Sequence, residues 1–402
     1  MTRYLTTIGF GCGLLFLSSG VSLAQKGGGK GKGGGKGSGG RVPFSVLEER
    51  SIAEGFTGLT TDGTPIEGLF EIESTGVSTE PVQKAAEALL NGLTDSQREE
   101  TLFAVGDPEW RKWANQHSYV RQGVSFEAMN EDQRGLAFGL LEASLSAHGL
   151  KTSRDIMRLN ETIAELKNDW EGYGEWKYHL TIMGKPSETK PWGWQLDGHH
   201  LVINYFVLGD QVVMSPVFVG SEPVWADSGK YEGTIVMQEE QAAGLEFMRS
   251  LDEAQQMKAR IQNEKGPVNA LAEAFKDNLI VSYEGIRGDG LTEAQREGLL
   301  DLIGVYVGYK KEGHARVRMD EVEAHLDDTH FAWIGGIDDE AVFYYRIQSP
   351  VIFIEFDHQR PIGLERTGVP SRNHIHAVVR TPNGNDYGKS LLKQHYESHH
   401  HP

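Results

Sequence analysis

The sequence predicts an α+β protein: a single large domain in which an antiparallel or mixed sheet packs against an N-terminal helical layer. Three observations carry this expectation. Between Pro81 and about Leu166 apolar residues recur three and four positions apart, as in Ala85, Ala88 and Leu89 and again in Leu136, Leu140, Leu141 and Leu145, which is the period of an amphipathic helix. From Tyr173 onward the pattern changes to short alternating runs bounded by Gly, Pro, Asn and Asp, as strands and tight turns require. Helices and strands come in blocks rather than in strict alternation, which favours α+β over a doubly wound parallel sheet. The chain has 402 residues, 39% of them hydrophobic, enough to bury one such core.

In chain order, residues 1–24 read as a signal peptide: Arg3 supplies the positive start, Ile8 to Leu17 the apolar stretch, and Ser22-Leu23-Ala24 the small-residue cleavage site. That stretch is too short for a transmembrane anchor and no other apolar run is long enough to be one, so export to the periplasm or the exterior is expected, with no membrane span. The single cysteine, Cys12, lies in the leader, so the mature chain has no thiol for a disulfide, a thiolate metal site or a nucleophile. Residues 25–42 are a Gly/Lys-rich tether with nothing to bury. The domain then runs over 43–402, with its helical part at about 79–170 and its strand-rich part at about 171–402.

Four helix starts carry one motif. Leu93-Thr94-Asp95-Ser96-Gln97-Arg98, Met129-Asn130-Glu131-Asp132-Gln133-Arg134, Leu251-Asp252-Glu253-Ala254-Gln255-Gln256 and Leu291-Thr292-Glu293-Ala294-Gln295-Arg296 each place Gln three residues after a capping Thr, Asn or Asp, with acids between. This is the pattern of a capping box at the positive end of a helix. Their irregular spacing argues against a repeat protein.

The strands follow. Tyr178 to Met183 alternates and stops at Gly184. A run from Lys190 to Val207 holds Trp192, Trp194, His199 and His200, turns at Gly209-Asp210, and returns from Gln211 to Pro216 as a hairpin. Phe331–Gly335, Ala341–Gln348, Val351–Phe356 and His374–Arg380 complete the set, and a last helix spans Gly388 to Tyr396.

The chemistry points to imidazole and carboxylate. His374 and His376 are two apart on a strand and share a face, about 7 Å apart along the strand. The adjacent His199 and His200, if extended, face opposite ways. His200 is the preferred partner of the downstream pair, and His199 reads as a buried, hydrogen-bonded ring that is the weaker ligand candidate. Glu355, at the end of an apolar run, is the candidate carboxylate ligand or general base, and Asp357 points the same way. With no thiolate, zinc, iron or copper would suit such a set. Arg346 lies inside an apolar strand, where it either holds a substrate carboxylate or pairs with Glu355 or Asp357. Trp192 and Trp194 share a strand face and offer a stacking platform for a substrate, although core packing is the commoner fate of tryptophan.

The blocks Pro191-Trp192-Gly193-Trp194-Gln195-Leu196-Asp197-Gly198-His199-His200-Leu201, Pro216 to Pro223, Tyr344-Tyr345-Arg346-Ile347 to Ile354-Glu355-Phe356-Asp357-His358, and His374-Ile375-His376 through Asn385-Asp386-Tyr387-Gly388 to Tyr396 resemble the successive blocks of the domain of unknown function 3500 family. The resemblance covers most of the chain after the tether and implies an exported protein of one architecture. It implies no activity.

The formal charge of −18 excludes nucleic acid and anionic membrane as partners. No nucleophile elbow, His-Glu-x-x-His helix, phosphate loop or dinucleotide fingerprint occurs, so no cofactor site of those kinds is expected. The leading expectation is an exported metal-dependent enzyme acting on a small or peptide substrate. Its alternative is a non-catalytic glycan- or peptide-binding protein that uses Trp192, Trp194 and Trp225. A hydrolase with Glu355 and Asp357 as its paired carboxylates is least favoured, because both lie on one strand.

Overall fold

Twelve strands form one mixed sheet: β1 (Leu102–Phe103), β2 (Val124–Ser125), β3 (Tyr178–Met183), β4 (Trp192–Gly198), β5 (Leu201–Leu208), β6 (Gln211–Ser221), β7 (Arg260–Gln262), β8 (Ile286–Arg287), β9 (His330–Gly335), β10 (Phe343–Gln348), β11 (Phe353–His358) and β12 (Ile375–Arg380). The computed structural model describes residues 42–364 and 366–399. The expected signal peptide, and the expected tether apart from Val42, lie outside them. Residues 43 onward gather into one unit, and the α+β class holds.

The sheet order is β1-β3-β4-β5-β6-β12-β11-β10-β9-β7, with β2 attached to β3 and β8 to β9. It reads the same from either edge. In the first half, helices Glu80–Gly92 and Asp95–Thr101 lead into β1, then β2, helices Glu131–Ser144 and Ala147–Lys167, and the meander β3 to β6. The second half repeats this order with Gln238–Ser250, Glu253–Ala259, β7, β8, Glu293–Val307, Glu312–Ala324 and β9 to β12. Even the pairing sense is kept: β1 and β7 run parallel to β3 and β9, whereas β2 and β8 run antiparallel to them. The halves join where β6 pairs with β12, from Val217 opposite Val379 to Ser221 opposite Ile375.

All four predicted helix starts have capping boxes, at Thr94/Gln97, Asn130/Gln133, Asp252/Gln255 and Thr292/Gln295. The motifs also pair two by two. Gln133 donates its amide to Oε1 of Gln97 at 2.8 Å and Gln97 donates back at 3.3 Å. Gln255 and Gln295 exchange the same bonds at 2.9 and 2.7 Å. The irregular spacing argued against a repeat, and the structure corrects that expectation: the boxes open the second and third helices of each half, so the chain contains one duplicated arrangement.

One turn departs from expectation. The run from Lys190 to Val207 breaks after Gly198, and β5 starts at Leu201, so His199 and His200 form a hairpin turn instead of opposite faces of one strand. His200 takes φ 62°, a left-handed conformation that lets the chain reverse within two residues. The two rings consequently lie together, stacked at 3.9 Å.

The faces of the sheet differ. One carries Trp192, Trp194, Leu201, Ile203, Tyr205, Tyr345 and Phe356 into a core shared with helices of both halves, including Leu89, Leu140, Met248 and Leu302. The other, with Val202, Phe206, Phe218, Phe353 and Val378, is covered partly by irregular chain, including Ala272, Ala274 and Val281. Irregular chain over a sheet needs side-chain partners for its backbone. That requirement shapes the site.

Candidate metal centre

The corner where β12 begins, β6 ends and β4 turns into β5 collects three buried histidines. His200, His374 and His376 are 6%, 2% and 6% exposed, and one ring nitrogen from each lies within 4.8 Å of the others. The ring centroids are 4.7 Å apart for His374 and His376, 5.0 Å for His200 and His376, and 5.5 Å for His200 and His374.

Their hydrogen bonds determine which nitrogens are free. Nδ1 of His374 lies 2.7 Å from the carbonyl oxygen of Arg360, which can only accept, so Nδ1 carries the proton. Nδ1 of His376 lies 2.7 Å from Oε1 of Glu273. The same oxygen accepts the Gln359 amide at 2.9 Å, and with the carboxyl ionised the ring donates here too. In neutral rings both Nε2 atoms are then bare lone pairs, and they face each other at 3.0 Å. Burial, with His374 next to it, holds His376 well below the ordinary histidine range. Burial holds His200 down likewise, helped by His376 and His374.

Two lone pairs at this distance repel unless a cation or a proton lies between them. For metal–nitrogen bonds of about 2.05 Å, ligand nitrogens sit about 3.3 Å apart on a tetrahedral ion and about 2.9 Å apart at adjacent octahedral positions. The separation of His374 and His376 falls between these values, so this pair fits a metal ion as it stands, and a ring nitrogen of His200 lies within 4.8 Å of both, near enough for the three together to hold one. The carboxylate–histidine pair of Glu273 and His376 and the carbonyl–histidine pair of Arg360 and His374 are the outer contacts that commonly orient metal-binding imidazoles.

The local sequence explains each position. His200 is fixed by the hairpin, whose backbone donates to Asn115 O at 3.2 Å and accepts from Gly220 at 2.9 Å. His376 sits on β12 opposite Asp357. Glu273 belongs to the irregular segment over the sheet and is held there by buried charges. Asp357 accepts the amides of Asn269 and Ala270, and Glu355 those of Leu271 and Ala272. Arg380 donates to the carbonyls of Ala272 and Glu273.

The expected roles of the acids are therefore corrected. Glu355, fully buried, gives its oxygens to two backbone amides and to the Tyr344 hydroxyl at 2.6 Å, and it is not among the converging ligand atoms. Burial pushes its carboxyl up to about 7, against the pull of the Tyr344, Ala272 and Leu271 donors. Asp357 also pairs with Lys265 at 2.7 Å. Both residues position the chain that carries Glu273. Arg346 faces Glu355 in strand register but bonds to Glu284 at 2.7 Å, not to Glu355 or Asp357.

His199 stays outside the triad, with Nδ1 on Oδ1 of Asn160 at 2.8 Å. Trp192 and Trp194 do share a face, but it is the core face. Both are fully buried, Trp192 bonded to Ser187 O at 3.0 Å and Trp194 stacked on Tyr205 at 5.2 Å, so neither offers a platform to solvent. Trp225 is partly buried and bonds to Asp227 at 3.2 Å.

Glu273, Glu222, Asn160 and the Arg360 carbonyl are contributors that sequence reasoning missed. Glu222 accepts the amides of Ile362, Gly363 and Leu364 at 2.9 to 3.1 Å and lies 3.5 Å from Nδ1 of His374, tying residues 362–364 down beside the triad. No helix of the described residues is long and apolar enough to cross a membrane.

A family model described as Protein of unknown function (DUF3500) matches residues 75–389. Neither the curated proteins nor the solved structures give a match. The match spans the whole sheet, the three histidines and Glu273, and the chain belongs to the DUF3500 family.

Proposed function

We propose that this chain is an exported metal-dependent enzyme whose centre is formed by His200, His374 and His376. The observation that carries the reading is the pair of bare Nε2 atoms of His374 and His376, 3.0 Å apart, each ring locked by an acceptor on its other nitrogen. Three neutral imidazoles bring no charge of their own, and Glu273 and Glu222 stand behind the rings, so a divalent ion held there would keep much of its charge, which favours Lewis-acid chemistry on a bound small molecule. Zinc, iron and copper all suit this donor set. The burial of all three rings favours a small substrate over a polymer. Export rests on the leader-like residues 1–24.

The test uses protein shortened after Ser398, purified without chelators or metal-affinity resin. Close to one equivalent of zinc, iron or copper is expected, absent from a His374→Ala/His376→Ala variant. Metal-loaded protein is expected to hydrolyse 4-nitrophenyl acetate faster than that variant. Metal bound without any rate difference would favour the non-catalytic binding reading. Metal-free protein whose thermal stability ignores all three ions would overturn the centre itself.

A further inference from the structure

The duplicated sheet has a second corner like the one that holds the histidines. There β6 begins, β12 ends and β10 turns into β11. In place of imidazoles at the strand start it has Gln211 to Met214, and these residues wall a cavity of about 100 Å³ together with Lys310, His314, Arg318, Thr381 and Asn385. We infer that this cavity is a second ligand site, which takes a small oxyanion, a carboxylate or a phosphate, between Lys310 and Arg318.

Lys310 is 5% exposed, and among the described residues its ammonium makes no hydrogen bond or ion pair. A mostly buried amine with no ion pair gains one from an anion that enters the cavity beside it. Arg318 is anchored at the same corner. It donates to the carbonyl of Val351 at 2.6 Å and to the hydroxyl of Thr381 at 3.2 Å, and it pairs with Glu321. Glu321 is engaged by Arg318, which leaves Lys310 as the group in need of a counter-ion. Oδ1 of Asn385 is also buried without a donor, and its amide can turn either end to a ligand. Apolar walls from Phe70, Val213 and Leu391 suit a short carbon chain behind the charged head. Glu71 and Glu73 stand exposed at the cavity and are screened by salt. Burial, with Arg318 nearby, pushes the Lys310 amine down to about 7, Glu321 opposing, so a bound anion would draw a proton onto it.

The test is thermal denaturation and calorimetric titration of the full chain with sodium acetate and with sodium phosphate at fixed ionic strength. A saturable rise in Tm with at least one probe is expected. Acetate alone identifies a carboxylate site, phosphate alone a phosphoryl site, and both a general oxyanion site. Lys310→Met, which places an apolar chain among apolar walls and should fold, is expected to weaken binding by about 10-fold or more. Arg318→Lys keeps the charge but loses the fork and should weaken binding by a smaller factor. No saturable response to either probe, or the same response in Lys310→Met and the unaltered chain, would overturn the inference.

Discussion

Glu273 and His376 are separated by 103 positions in sequence, yet Oε1 of the acid lies 2.7 Å from Nδ1 of the ring. This contact fixes the tautomer of His376 and aims its Nε2 at His374. Glu273→Gln keeps the shape but replaces the carboxylate with a neutral amide. It is expected to weaken metal affinity by about 10- to 100-fold with little change in fold. A zinc competition titration checks this, and unchanged affinity would mean that Glu273 does not orient the ring.

The buried acids Glu355 and Asp357 reach the centre only through the chain they hold. Glu355→Ala strands the amides of Leu271 and Ala272 and the Tyr344 hydroxyl without an acceptor. A loss of about 3–5 kcal/mol in urea denaturation is expected, at 1–3 kcal/mol for each stranded group with partial relaxation. Metal affinity should fall as well, because Glu273 loses its support. A variant of full stability and full affinity would contradict the positioning role.

Lys310 makes stability depend on pH in a defined direction. Its folded pKa, about 7, lies below the ordinary lysine value, so between these two values the unfolded chain binds the extra proton and stability rises with pH. The groups facing it are Arg318 and Glu321, with His314 on the same helix. In buffers without small oxyanions, Lys310→Met should be more stable than the unaltered chain at pH 7 by on the order of 3 kcal/mol, and the gap should close towards pH 10. A gap that stays constant between these pH values would show that the amine is not the cause.

The reciprocal amide pairs join helix starts that a capping box alone would leave independent. A double-mutant cycle on Gln97→Ala and Gln133→Ala is expected to show a coupling of about 0.5–1.5 kcal/mol, with a similar value for Gln255 and Gln295. Additive losses would reduce the four boxes to separate local caps.

Much of this was legible in the sequence because the controlling interactions are local. Thr94, Asn130, Asp252 and Thr292 each meet a Gln three residues on, and strand alternation places β3, β9 and β12 within a residue or so. His374 and His376 lie side by side for the same reason. The turn at His199-His200 was hidden because neither residue is a usual turn former. Trp192 and Trp194 share a face as alternation requires, but periodicity does not say which face meets the helices. Glu273 lies in chain without any period, placed only by Glu355, Asp357 and Arg380 from distant strands. Glu355 did mark a buried acid that needs explaining. The explanation proved to be backbone satisfaction and not ligation.

The most direct test of the centre is an anomalous difference map from a crystal of the chain shortened after Ser398, grown with zinc and measured at the zinc edge. One peak is expected about 2.0–2.1 Å from Nε2 of His374, from Nε2 of His376 and from a ring nitrogen of His200. A fully diffracting crystal with zinc bound elsewhere, and with His374 Nε2 bonded directly to His376 through a shared proton, would contradict it.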